Sequence, residues 1–158
     1  MRRIKLLSFV VLSLPLICLA QTKENLKFDS AYRKAEKGDS LAQNYVAYCY
    51  MNGYGIAKNE QKAAIWYQKS AEQGHSEAQY GIGMYYLQGR GTEKDNKKAS
   101  EWLLKSANQG YVEAQIRIGK LYIDKVIQIK KKEVIRFLEK AEKNGNSEAQ
   151  KLLEKIHK

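Results

Sequence analysis

Apolar and small residues recur at helical spacing in short runs that glycines interrupt. Between Ser76 and Gln88 a step of 100° per residue puts Ala78, Ile82 and Tyr86 on one face and Tyr80, Met84 and Leu87 on the other. This pattern predicts a helix with two apolar faces. It ends at Gly89-Arg90-Gly91, since glycine takes positive φ without a Cβ clash. A second helix is predicted to start at an N-cap on Asp95, with Lys98-Ala99, Trp102-Leu103 and Ser106-Ala107 at helical spacing, and to close at Gly110. Ser76-Glu77-Ala78-Gln79 has the form of a capping box, and Ser40…Gln43 and Ser147…Gln150 repeat it. The single proline is Pro15, so nothing after Gln21 forces a break.

These helices repeat. Ala35-Glu36-Lys37-Gly38 aligns with Ala71-Glu72-Gln73-Gly74 and Ala107-Asn108-Gln109-Gly110 at a spacing of 36 residues. The same offset carries Ala42-Gln43 to Ala78-Gln79 and Ala114-Gln115, Tyr50 to Tyr86 and Tyr122, and Trp66 to Trp102. After one deletion, Gly145 and Ala149-Gln150 complete the series. A period of this length marks stacked supersecondary units, each needing its neighbours to bury its apolar face. The predicted fold is all-α, an α/α superhelix (solenoid) of antiparallel helix pairs, with units roughly 38–73, 74–109 and 110–144 and a half unit 145–158. Trp66, Trp102, Tyr50, Tyr86 and Tyr122 are expected in its core.

The run Ala78-Gln79…Ile82-Gly83…Tyr86…Gly89-Arg90-Gly91…Asp95…Lys98-Ala99…Trp102-Leu103-Leu104-Lys105-Ser106-Ala107-Asn108-Gln109-Gly110 resembles the Sel-one-like repeat, a relative of the tetratricopeptide repeat. Two units fit it well; a third fits in its first helix but has Lys125-Val126-Ile127 in place of the loop glycines. The resemblance leaves only Gln21 to about Phe28 of the segment 21–158 outside. It implies an adaptor that presents a concave groove to a protein or peptide, with no catalytic residues shared across the family. Some secreted members are stapled by cysteines within each repeat, and this sequence lacks them.

The second apolar face of the first helices is the expected partner-binding surface: Asn44, Tyr48 and Met51, then Tyr80, Met84 and Leu87, then Ile116, Lys120 and Ile123. Aromatic residues offer contact area and methionine adapts its shape. The alternative is that this face packs between adjacent repeats.

The first twenty residues stand apart. Arg2, Arg3 and Lys5 precede an apolar run from Leu6 to Leu19, and Cys18-Leu19-Ala20 has small side chains where a signal peptidase reads. Residues 1–20 therefore read as a signal peptide cleaved before Gln21, with export to the periplasm or medium; lipid anchoring through Cys18 is the alternative, poorly served by Ile17 before it. The run is too short for a spanning helix, so no transmembrane segment is expected after cleavage. Cleavage leaves Cys49 without a disulfide partner and lowers the formal charge from +11 to +8, which favours an acidic partner.

Catalytic chemistry finds few parts. The histidines are His75, in a predicted turn, and His157, near the end, too few for a triad or a metal cluster. Cys49 has no second thiol nearby, and the Gly-x-Gly loops lack the Lys-Ser/Thr of a phosphate-binding loop. No enzyme, metal or cofactor is expected. Lys130-Lys131-Lys132 could attract nucleic acid or a membrane surface, but a solvated helix start accounts for it as well, and export argues against nucleic acid. The expected function is an exported, monomeric module that binds a protein or peptide in its groove. The alternatives are an immunity or inhibitor protein that neutralises a cognate toxin and, third, a hydrolase acting on cell-wall or antibiotic substrates.

Overall fold

The structure, a computed structural model, describes residues 23–157. The expected signal peptide, its cleavage point and Cys18 lie outside the described residues. Helix α1 covers residues 23–36. It is followed by α2 (Ser40–Asn52), α3 (Glu60–Glu72), α4 (Ser76–Gln88), α5 (Asn96–Asn108), α6 (Val112–Ile123), α7 (Lys131–Lys143) and α8 (Ser147–His157), with no strand among the described residues. The helices pair as α2/α3, α4/α5 and α6/α7, each second helix packs on the next first helix, and α6 also touches α8. The result is the solenoid that the period predicts.

Helix starts are set by side chains that accept from exposed backbone N–H groups. Asn59 and Asp95 accept from Lys62 and Lys98 at 2.8 and 2.9 Å, as the sequence pattern requires. The first helices begin differently from the expected capping boxes. Asp39 accepts from Ala42 N–H at 2.9 Å, His75 Nδ1 from Ala78 N–H at 3.3 Å, and Asn146 from Ala149 N–H at 3.2 Å, so Ser40, Ser76 and Ser147 are the first helical residues.

That shift frees the glutamines of the supposed boxes for another task. Gln43 Nε2 donates to Ala35 O at 3.1 Å, while its Oε1 accepts from Gln73 Nε2 at 2.7 Å. One unit on, Gln79 Nε2 donates to Ala71 O at 3.2 Å and its Oε1 accepts from Gln109 Nε2 at 2.7 Å. Beside them Ser70 and Ser106 donate to the carbonyls of Ser40 and Ser76, both at 2.7 Å. Each buried glutamine thus joins the end of the preceding second helix, its own first helix and the end of the following one. The spine stops at Gln115, which still donates to Ala107 O at 3.1 Å but whose buried Oε1 has no partner. Asn144, a methylene shorter, stands where Gln109 would be, and Ala141 where Ser106 would be.

The core is packed by close helix approach. A Cβ on Gly83 would lie 2.9 Å from Leu103, and one on Gly119 2.8 Å from Leu138, so only hydrogen lets these pairs of helices come together. In α1–α4 the buried side chains include Phe28, Tyr50, Trp66, Tyr67 and Tyr85; in α5–α8 they are mostly aliphatic, among them Ile118, Val134, Leu138 and Leu153. Of the aromatic residues expected inside, Trp66 and Tyr50 are buried, whereas Trp102, Tyr86 and Tyr122 are half-buried. The Lys105 ammonium covers the Trp102 ring at 4.0 Å.

The first two loops seat on the helix that precedes their own pair, α1 and α3. A Cβ on Gly91 would collide with the backbone of Glu60, the first residue of α3, and Arg90 beside it donates to Glu60 Oε1 from Nε (3.2 Å) and Nη2 (2.9 Å). In the third loop Lys125 takes the positive φ (55°) that Gly53 and Gly89 take in the others, and Ile127 is buried.

Two outcomes follow for stability. Asn144→Gln is expected to give Gln115 its missing partner and add about 1 kcal/mol, or about 3 °C in Tm, in thermal melts. The same change in a Gln115→Ala background should add nothing. Hydrogen bonds from Arg90 hold the Glu60 carboxyl below the usual carboxylate range. A value depressed in the folded state stabilises above the unfolded value and is lost as pH falls through the folded one. Arg90→Gln should therefore lower the urea midpoint at neutral pH and leave it near wild type at about pH 2.

Candidate partner-binding site

The largest exposed apolar stripe lies on α2. Leu41, Tyr45 and Tyr48, spaced i, i+4 and i+7, are 68%, 41% and 41% exposed, and Tyr54 from the following loop sets its ring 5.7 Å from that of Tyr48. Between α1 and α2 an open groove of about 680 Å³ is lined by Leu26, Ala31, Leu41 and Tyr45, with Lys27 and Lys34 among its polar residues. One period on, Ala31 and Lys34 become Tyr67 and Ser70, and both of these reach α2: Tyr67 through its hydroxyl to Met51 Sδ at 3.8 Å, Ser70 to Ser40 O at 2.7 Å. The groove is therefore the place where, in later units, a first helix packs.

The stripe changes character along the solenoid. Leu41 gives way to Glu77 and Glu113, Tyr45 to Gly81 and Arg117, and Tyr48 to Met84 and Lys120. Lys120 forms an ion pair with Glu148 at 2.7 Å, whose hydrogen bond lowers the Glu148 pKa. The apolar surface is concentrated at the amino-terminal end.

The structure separates the nine residues expected to bind a partner. Tyr48 is exposed and Met84 and Lys120 half-buried along the same line. Tyr80, half-buried, sets its ring 5.4 Å from that of Tyr111, Ile116 is buried, and both line a 170 Å³ cleft with Lys120 and Glu148. Asn44 is half-buried with its Oδ1 enclosed and unpartnered. Met51 packs against the amino-terminal half of the core, and Leu87 and Ile123 against the carboxy-terminal half. The nine do not include Leu41 and Tyr45, because the α4 pattern carried back by the 36-residue offset has Glu77 and Gly81 at their places. Their own i, i+4 spacing in α2 was the available signal.

Similarity to known proteins agrees with this geometry. The Sel1 repeat family matches over residues 40–75 and 76–111. The chain carries two Sel1 repeats. A crystal structure of a Sel1 repeat protein from Oxalobacter formigenes is 30% identical with a TM-score of 0.73, over 82% of this chain and 54% of that one. A protective antigen present in uropathogenic Escherichia coli strains, which displays the same repeat fold, is also 30% identical, with a TM-score of 0.72, over 78% of this chain and 27% of that one. The Sel1 chain thus spans about half the length of the first neighbour and about a quarter of the second. No curated protein matches it. Sel1 repeats generally mediate contacts between proteins and are non-catalytic scaffolds.

Burial favours the neutral forms of three groups near the site. Burial raises the pKa of Tyr45 and of Cys49 beneath it, and pushes Tyr111 up to about 12. Among the described residues no three of His, Cys, Asp and Glu come close enough to hold a metal ion. Cys49 is 0% exposed and its thiol is disfavoured as thiolate. A water-soluble disulfide reagent at neutral pH is therefore expected to leave Cys49 unmodified in the native protein and to titrate one thiol of the segment 21–158 in denaturant. Stoichiometric reaction under native conditions would contradict this burial.

Proposed function

We propose that this Sel1 repeat protein is an exported, monomeric binding module, with residues 1–20 as its export signal and residues 21–158 as its solenoid, and that it holds a protein partner at the amino-terminal end of its groove. The exposure of Leu26, Leu41, Tyr45 and Tyr48, where later units pack a helix, carries this reading. Contiguous exposed apolar side chains of this kind mark interaction surfaces on soluble proteins. The partner segment that fits is an apolar helix of three to four turns with acidic flanks, its side chains against Leu41 and Tyr45 and its carboxylates near Lys27 and Lys34. Tyr48 and Met84 extend the contact along the first helices, the rings of Tyr45 and Tyr48 giving area at low entropic cost. The module works by binding and has no catalytic role.

The test uses the segment 21–158 as bait in extract of the export compartment, followed by affinity measurement with the recovered partner. Leu41→Asp with Tyr45→Asp is expected to weaken binding at least ~100-fold, and Tyr48→Ala about tenfold, with Tm within about 2 °C of wild type. Unchanged affinity would place the contact elsewhere on the solenoid. A partner that is an enzyme or toxin, blocked in the complex, would make the module an inhibitor.

A further inference from the structure

We infer that the edge of the solenoid formed by its long loops is a docking surface for an anionic lipid bilayer. The loops and the first turns of the second helices lie along one edge, because Arg90 and Gly91 seat directly on Glu60 at the start of α3 and Gly55 approaches the backbone of Glu24 in α1. The three loop segments 53–62, 89–98 and 125–133 carry ten cations and four carboxylates. The four turn segments 33–41, 69–77, 105–113 and 140–148 carry seven cations and seven carboxylates. The protein's basic excess is therefore one-sided. The run Lys130-Lys131-Lys132 is one end of a band that continues through Lys94, Lys97 and Lys98 to Lys58 and Lys62, all of them exposed.

Composition favours a lipid surface over an acidic protein. Nine of the ten cations are lysines, and the tenth, Arg90, is committed to Glu60. Protein interfaces are enriched in arginine and depleted of lysine, whose strongly hydrated ammonium and flexible stem suit a diffuse layer of headgroup charge. The central position of two of the three loops adds an apolar element: Tyr54 in the first and Val126 in the third are 46% and 36% exposed at the place where the second loop has Arg90. Lysines around an exposed tyrosine and valine on one edge match the polar–apolar boundary of a bilayer. No helix of the described residues is long and apolar enough to cross a membrane, so this contact is peripheral.

Flotation of the segment 21–158 with phosphatidylglycerol–phosphatidylcholine vesicles, against phosphatidylcholine alone, tests the inference. Binding is expected to the anionic vesicles only, and to fall steeply between about 0.1 M and about 0.5 M salt. Replacing Lys94, Lys97, Lys130 and Lys131 with Gln should reduce partitioning on the order of 100-fold. Replacing Lys34, Lys37, Lys140 and Lys143 with Gln, the same change in net charge away from the loops, should leave it within about threefold. Tyr54→Ser with Val126→Ser should lower the binding that survives high salt, and Leu41→Asp with Tyr45→Asp should not alter vesicle binding, which separates this surface from the groove. Circular dichroism melts establish that each variant is folded. Equal losses in the two lysine sets would overturn the inference in favour of net charge alone. Absence of vesicle binding, including the case where the loop lysines hold polyglutamate instead, would also overturn it.

Discussion

Three helices of unlike sequence position meet at each buried glutamine. The amide of Gln79 needs both a carbonyl from the unit before and an amide from its own unit's second helix, and burial makes either loss costly, because an enclosed polar group without a partner retains its full desolvation penalty. Apolar contacts alone would let helix pairs slide or rotate against one another with little change in buried area. The paired donor and acceptor at Gln43 and Gln79 fix the stagger, and the serine hydroxyls of Ser70 and Ser106 lock it a second time. Everything that depends on register, including the seating of Arg90 on Glu60 and the alignment of loops along one edge, follows from that constraint.

The spine weakens toward the carboxy terminus, and the repeat signature weakens with it. Where Gln109 gives way to Asn144 and Ser106 to Ala141, Gln115 keeps half of its hydrogen bonding and the glycine loop is replaced by one in which Lys125 adopts positive φ. Stability there comes instead from apolar packing of Val134, Phe137 and Leu138 against α6 and α8. The last helix then closes the stack with Ala149, Leu152, Leu153 and Ile156 inward and Gln150, Lys151, Glu154 and Lys155 in solvent. Among the described residues the amino-terminal end has no such polar finish. Leu26 and Leu41 remain exposed, and the asymmetry between the two ends is what singles out the amino-terminal groove.

Helix pairing, the loop positions and the number of units were legible in the sequence because glycines and the 36-residue offset are local signals that tertiary packing does not override. The glutamine role was not. A Ser-x-x-Gln pattern satisfies a capping box equally well on paper, and only the position of Asp39 and His75 one residue earlier releases Gln43 and Gln79 inward. Helix α1 was hidden for a related reason. Lys27 and Lys34 occupy the places of Ala63 and Ser70, so the segment before Ala35 lacks the marks of a second helix although Phe28, Tyr32 and Ala35 pack as one. Projecting one unit's pattern onto the next finds the line of Tyr48, Met84 and Lys120 but misses the exposed Leu41 and Tyr45, since a repeat constrains the residues that face its neighbours and leaves the solvent face free to differ.

That freedom explains how one scaffold can carry two surfaces of unlike chemistry. Positions inside the stack are tied to the period by helix contact, as Gly83 against Leu103 and Gly119 against Leu138 illustrate. The exposed line of the first helices and the tips of the loops are less constrained, and each varies by unit: Leu41, Glu77 and Glu113 on one, Tyr54, Arg90 and Val126 on the other. The groove is a matter of shape and apolar area, screened little by salt, whereas the loop edge acts through charge over about a Debye length. The two surfaces therefore respond to different conditions, and because the spine holds them at a fixed angle, a partner in the groove and a charged plane at the loops would be presented to one another in a set orientation.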